Sequence, residues 1–223
     1  MKIKHLTLHC ANLQEQKYFY TEKFRFEIAE ESDEHLTLKM GSSLLTFKEN
    51  RLKKSYYHFA LNIPYNSIKT ALKWLYKRAD VIPTDDGLIK DFSSWQALAI
   101  YFLDPAGNIV EFIGRKRIKT ESRNTFNEKD VIAISEVGLP VSHVKDAFDL
   151  IHKASGIPKF DCDDSRFCAC GSDSGLFIIV DKAEKSWFPT DEPARAYPLE
   201  VVFHAANNKK HYLSLNAEML TVD

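Results

Sequence analysis

Three stretches of the chain repeat one hydrophobic pattern. IKHLTLHCANLQEQKYFYTEKF (3–24) alternates apolar and polar positions over a strand's length, then shifts to helical spacing. YHFALNIPYNSIKTALKWLYKRA (57–79) repeats this, with Ile68, Ala71, Leu72, Leu75 and Ala79 forming an apolar stripe. AISEVGLPVSHVKDAFDLIHKAS (133–155) does so again through Val144, Ala147, Phe148, Ile151 and Ala154. Short strand-like runs follow each helix: FRFEIAE, HLTLKM and SLLTFKE; then VIPT, ALAIYFL and IVEFIG; then IPKFDC, RFCACG and LFIIVD. The unit is strand, helix and three strands. A fourth copy begins at YPLEVVFHA (197–205) and is expected to be truncated, without a full helix and three strands.

A βαβββ unit places its helix on one face of a small sheet, so the other face must be covered or line a cavity. The expected fold class is α+β: repeated βαβββ units forming a mixed, cup-shaped sheet with helices outside. Residues 1–114 are expected to pair the first two units. RKRIKTESRNTFNEKD (115–130) reads as a solvated polar linker, and 131–223 as the third unit with a shortened fourth. Alternation along a strand then assigns faces. Leu6 and Leu8 turn toward the helix, leaving His5, Thr7 and His9 for the cup. Phe59, Leu61 and Ile63 face the helix, leaving His58, Ala60 and Asn62. In IVEF, Glu111 opposes Val110 and Phe112.

Glu111 raises a chemical question. It follows the turn DPAGN in YFLDPAGNIVEF (101–112), inside an apolar strand. A buried carboxylate needs a partner or a metal.

Composition narrows the function without naming it. The 223 residues are 44% hydrophobic and 27% charged with net charge −1, so charge directs the chain to neither nucleic acid nor an anionic membrane. The N-terminus lacks a signal peptide's apolar run. No stretch approaches the roughly 18–20 apolar residues of a membrane span. Cys10, Cys162, Cys168 and Cys170 do not match common zinc spacings and read as reduced thiols of a cytoplasmic protein.

Three motifs, in order, carry a resemblance. HLTLHCANLQEQKYFYTEKFRFE, with its Phe19-Tyr20 pair, resembles the opening of the vicinal oxygen chelate superfamily. YHFALNI resembles that superfamily's second His strand, and YFLDPAGNIVEF its DP-x-GN-x-x-E ending. The superfamily includes glyoxalase I, bleomycin-binding proteins, fosfomycin-resistance enzymes and extradiol dioxygenases. The resemblance spans residues 1–114. It implies metal ligands at His5, His58 and Glu111, a set suited to a divalent Fe, Mn, Zn or Ni ion with positions left open. It further implies a small oxygen-bearing substrate bound at that metal, with Tyr101 contacting a substrate oxygen. His9 is a candidate substrate contact, Phe47 and Trp95 candidate pocket walls, and Lys90 with Ser94 a candidate anion site.

Departures from the family pattern matter too. The additional acidic ligand of glyoxalase I falls near Leu44, and the acid/base His of the dioxygenases has no counterpart in DFSSWQALAIY. In the third unit Glu136 stands where His5 aligns, and Pro198 or Glu200 falls near the His58 position, so 131–223 is expected to lack metal ligands. The implied function is a glyoxalase/dioxygenase-like metalloenzyme. The alternative is a metal-free binding or resistance protein of the bleomycin-binding type, and a third reading is an interaction protein. An incomplete fourth unit leaves a sheet edge, from which a homodimer is expected.

Overall fold

The computed structural model describes residues 1–120, 125–216 and 219–223. The first unit consists of β1 (Lys2–Cys10), α1 (Leu13–Lys17), β2 (Ile28–Glu31), β3 (His35–Met40) and β4 (Ser43–Glu49). The second has β5 (His58–Ile63), α2 (Ile68–Leu75), the short strands β6 (Val81–Ile82) and β7 (Lys90–Phe92), β8 (Ala97–Leu103) and β9 (Ile109–Arg115). The third has β10 (Ala133–Val141), α3 (Val144–Ser155), β11 (Lys159–Cys162), β12 (Phe167–Ser172) and β13 (Gly175–Asp181). The last fragment supplies β14 (Leu199–His204), β15 (Lys210–Asn216) and β16 (Met219–Val222) without a helix. In each complete unit the first strand lies parallel to the last: β1 on β4, β5 on β9, β10 on β13. The remaining ladders are antiparallel, giving the expected mixed sheets.

Which units share a sheet differs from the expectation. One sheet runs β16-β15-β14-β1-β4-β3-β2, joining the first unit to the last fragment. The other runs β11-β12-β13-β10-β5-β9-β8-β6, joining the second unit to the third, with β7 on β8. The first and second units therefore do not form one cup, and 1–114 is not a self-contained pair. The reason is edge pairing. β14 takes the free edge of β1 and β10 takes that of β5, both antiparallel. The last fragment thus completes a sheet within its own chain.

The two sheets meet along β1 and β10. Ser43 Oγ donates to the Ile3 carbonyl (2.7 Å) and accepts from the Ile134 amide (3.0 Å). Gly41 sits at φ +61° with the Ile132 carbonyl where its Cβ would be, so a side chain has no room there. Helix-side faces share one core, in which Phe47, Tyr20, Phe24, Trp74, Phe102 and Phe112 run from sheet to sheet through ring contacts. Phe177 of β13 packs edge-on to Phe203 of β14 across the same boundary. The predicted faces hold: Leu6, Leu8, Phe59, Leu61, Ile63, Val110 and Phe112 all lie in this core. So do the helix stripes, through Ile68, Ala71 and Leu75 in α2 and Val144, Ala147, Phe148 and Ile151 in α3.

The DPAGN turn belongs to the scaffold. Asp104 accepts from the Ala106 and Asn108 amides, from the Asn108 side chain (2.7 Å) and from the Tyr20 hydroxyl (2.9 Å). Two motifs of the resemblance, the Phe-Tyr pair and the turn, are thus one buried hydrogen-bond network. Burial still raises the Asp104 carboxyl, against the pull of those donors.

The predicted linker is only partly solvated: Arg115 ends β9 and is fully buried, and Phe126 enters the core, while 121–124 lie outside the described residues. Cys162 and Cys168 face one another across β11–β12 as a disulfide, which corrects their reading as reduced thiols; Cys10 and Cys170 are free and buried. No helix among the described residues is long and apolar enough to cross a membrane.

Candidate functional site

The second sheet's outer face is a cup because its strands place small residues there. Ala60, Ala97, Ala99, Ala169 and Gly138 leave space on the floor that larger residues would fill. A strap between β13 and β14 crosses the opening and buries Trp187 and Ala194 in it. The Gly138 Cβ position lies 2.4 Å from the Trp187 indole, so only glycine admits that ring. The remaining cavity, about 190 Å³, is walled by Phe92, Trp95, Tyr101, Phe167, Trp187 and Phe188.

His58, Glu111 and Glu136 form the cavity's polar floor. One ligand-type atom of each lies within 4.8 Å of the others. His58 Nδ1 donates to the Ile109 carbonyl at 3.1 Å, since a carbonyl only accepts. Burial holds the ring's pKa down to about 4, so at neutral pH the imidazole is uncharged. Its Nε2 lone pair therefore faces Glu111 Oε2, 3.6 Å away. Glu111 Oε1 is buried with no hydrogen-bond partner among the described residues. Burial, then the neighbouring Glu136, push the Glu111 carboxyl well up, against Arg115 and the Tyr101 hydroxyl opposite it in the β8–β9 register. Burial also raises the Tyr101 phenol well above its ordinary value, with Glu111 and Glu136 adding to the effect.

Glu136 has a different partner. The fully buried Arg115 donates from Nη2 to Glu136 Oε1, with Asp173 3.8 Å from Nη1. The guanidinium lies 5.6 Å from the Trp95 ring and 5.9 Å from that of Phe160. Burial raises the Glu136 carboxyl and Arg115 opposes that rise. The pair balances its own charge, whereas Glu111 has no cation of its own.

Of the predicted site residues, His58, Glu111, Tyr101 and Trp95 come together at this cavity. His5 does not join them. It lies on β1 in the other sheet, where Nε2 pairs with Thr46 Oγ1 at 2.7 Å. It lines a separate polar cavity of about 540 Å³ with Thr7, Thr37, Thr46, Lys48 and Glu200. The expected His5–His58–Glu111 set is thereby corrected: strand pairing sends the first unit's cup to a different sheet. His9 lies on the same strand, half-buried, and lines neither cavity. Phe47 is a core residue stacked on Tyr20, not a pocket wall, because alternation turns it toward the helices. Lys90 is paired with Asp85 (2.8 Å) and Asp86 (3.0 Å), and Ser94 is exposed on a short turn, so they form no common anion site.

Glu136, Arg115 and Trp187 were missed as site residues. Alternation carries the face of Glu111 to Ile113 and Arg115, so the arginine could have been found by parity. Glu136 was noticed only as a lost histidine. Trp187 left no periodic signal, lying on a strap between strands.

No family model and no curated protein sequence matches the chain. A solved structure of a proposed dioxygenase from Bacillus subtilis is 13% identical with TM-score 0.67, covering 100% of this chain and 84% of that one. Glyoxalase I from Zea mays is 15% identical with TM-score 0.59, covering 100% of this chain and 92% of the other. With parallel first and last strands in each βαβββ unit, paired units in each sheet and these structural neighbours, the chain has the vicinal oxygen chelate fold.

Proposed function

We propose that the second sheet's cup is the active site of a metal-dependent enzyme of glyoxalase or dioxygenase type, with His58, Glu111 and Glu136 as the residues that hold a divalent cation. The observation that carries this is convergence: a neutral imidazole nitrogen and two carboxylates within 4.8 Å, one carboxylate oxygen buried without a partner. Nitrogen and carboxylate donors suit Fe, Mn, Zn or Ni. A bound cation would act as a Lewis acid toward a substrate oxygen. The chain's own groups prepare that chemistry. Ile109 orients the imidazole through Nδ1, and Arg115 holds Glu136 in place. Tyr101 keeps its proton across the working pH range and offers a hydroxyl beside Glu111. The strap and aromatic walls narrow the opening of the cavity.

Metal analysis of protein purified without chelators tests this. Near-stoichiometric divalent metal in wild type, lost in His58→Ala and Glu136→Gln but kept in His5→Ala, is the expected result. Metal absent throughout, with a small ligand still bound, would favour the bleomycin-binding type of module. One feature supports that second reading: Arg115 already balances Glu136, and burial drives Glu111 toward its neutral form.

A further inference from the structure

We infer that the second cup takes a single-ring molecule bearing a carboxylate, its acid group recognised by Lys185 and Trp187 of the strap. This rests on the second cup being the ligand site proposed above and adds the class of ligand. Ser186 bridges to Pro193 within the strap, and its two chain neighbours there are Lys185 and Trp187. Both line the cavity. Trp187 is 3% exposed, and its Nε1 is buried without a hydrogen-bond partner among the described residues. An indole N–H only donates, so what it lacks is an acceptor. Lys185 is half-buried, and its ammonium has no ion pair or hydrogen bond among the described residues. Lys90, the other lysine close by, is neutralised by Asp85 and Asp86. Two residues, one with a donor lacking an acceptor and one with a cation lacking a counter-ion, thus line one cavity, and a carboxylate answers both.

The rest of the space selects a flat ring. Phe92 and Trp95 stack 5.9 Å apart on one side, Tyr101 and Phe188 meet edge to face at 5.4 Å, and Trp187 lies over His58. At about 190 Å³ the cavity is smaller than the roughly 300–1,000 Å³ of sites for drug-sized ligands, which favours one ring over two. Arg115 does not line the cavity; it lies behind Trp95 and donates from Nη2 to Glu136.

Calorimetric titration of the full chain with benzoate, benzamide and benzyl alcohol tests the assignment, using Lys185→Gln and Trp187→Phe. The phenylalanine keeps an aromatic side chain but removes the N–H together with the outer ring atoms that pack on Gly138, so Lys185→Gln is the variant that leaves that packing in place. Benzoate is expected to bind about tenfold or more tightly than the two neutral probes, and each substitution to erase most of that preference. Equal affinities in wild type, or an acid preference that survives both substitutions, overturns the proposal. A Mn²⁺ titration of the same proteins separates this result from the metal reading. Benzoate preference without Mn²⁺ binding sinks only the metal. Mn²⁺ binding without binding of any probe sinks only the acid. Mn²⁺ affinity unchanged in both variants, with the acid preference lost, supports the strap as the recognition element.

Discussion

The two cups of this molecule start from the same unit and end as different chemical environments. His5 and His58 occupy corresponding first strands and both face away from the helices. In the first cup, β14 to β16 help line the cavity, and His5 joins a hydroxyl chain through Thr46 to Thr37, with Thr7 beside it. In the second, the strap crosses the face, burial keeps His58 neutral, and two carboxylates lie near its free nitrogen. A histidine at a motif position is therefore only half a ligand. What stands across the neighbouring ladders decides the rest: Leu44 opposite His5, but Glu111 one strand from His58, opposite Ala60.

The sharpest way to break this contrast is Arg115→Met. Removing the guanidinium leaves Glu136 buried and uncompensated, and should cost about 3–5 kcal/mol in urea unfolding. Lys48→Met, which removes the exposed partner of Glu200 in the first cup, should shift stability by less than about 1 kcal/mol. Equal costs would mean that the second cup is as wet as the first.

Glu111→Gln gives a smaller effect of opposite sign. The folded-state carboxyl is raised, so below the ordinary carboxylate value both states are protonated and the residue costs nothing. As pH rises, the unfolded chain ionises first, and stability falls until the folded carboxyl also ionises. Glutamine does not titrate. In chelator-treated protein the variant should match wild type near pH 4 and gain about 1–2 kcal/mol near neutrality. A gain already complete at pH 4 would trace to packing, not charge. His58 acts in parallel: its depressed value makes the folded state lose stability as pH falls from about 6.5 toward 4. His58→Gln should flatten that acid limb, and His5→Gln should flatten it less, since His5 is half-buried.

A modest effect is also expected of Thr46→Val, which removes the hydroxyl partner of His5. A cost of about 1 kcal/mol and unchanged metal content would keep the first cup out of the chemistry. Loss of metal in this variant would reopen His5 as a ligand.

Much of the site was readable from alternation. The face of Glu111 follows from Val110 and Phe112, and that of His58 from Phe59 and Leu61. By the same rule Arg115 belonged with Glu111, yet its place at the head of a charged run suggested solvent. Glu136 looked like a missing histidine because the family pattern placed the ligands in the first two units. Phe47 was misplaced for a simpler reason: adjacent Thr46 holds the cup-facing position.

Local pattern determined the βαβββ repeat, its helix-facing stripes, the Asp104 turn and the need of Glu111 for company, because each depends on neighbours within a few residues or on the two-residue period of a strand. The tertiary structure alone decided that the first unit pairs with the last fragment and the second with the third. It also decided that the strap lies across the second cup. Strand edges are chemically alike, so their partners are chosen by how the whole core packs, and that choice set His5 apart and brought Glu136 and Arg115 to Glu111.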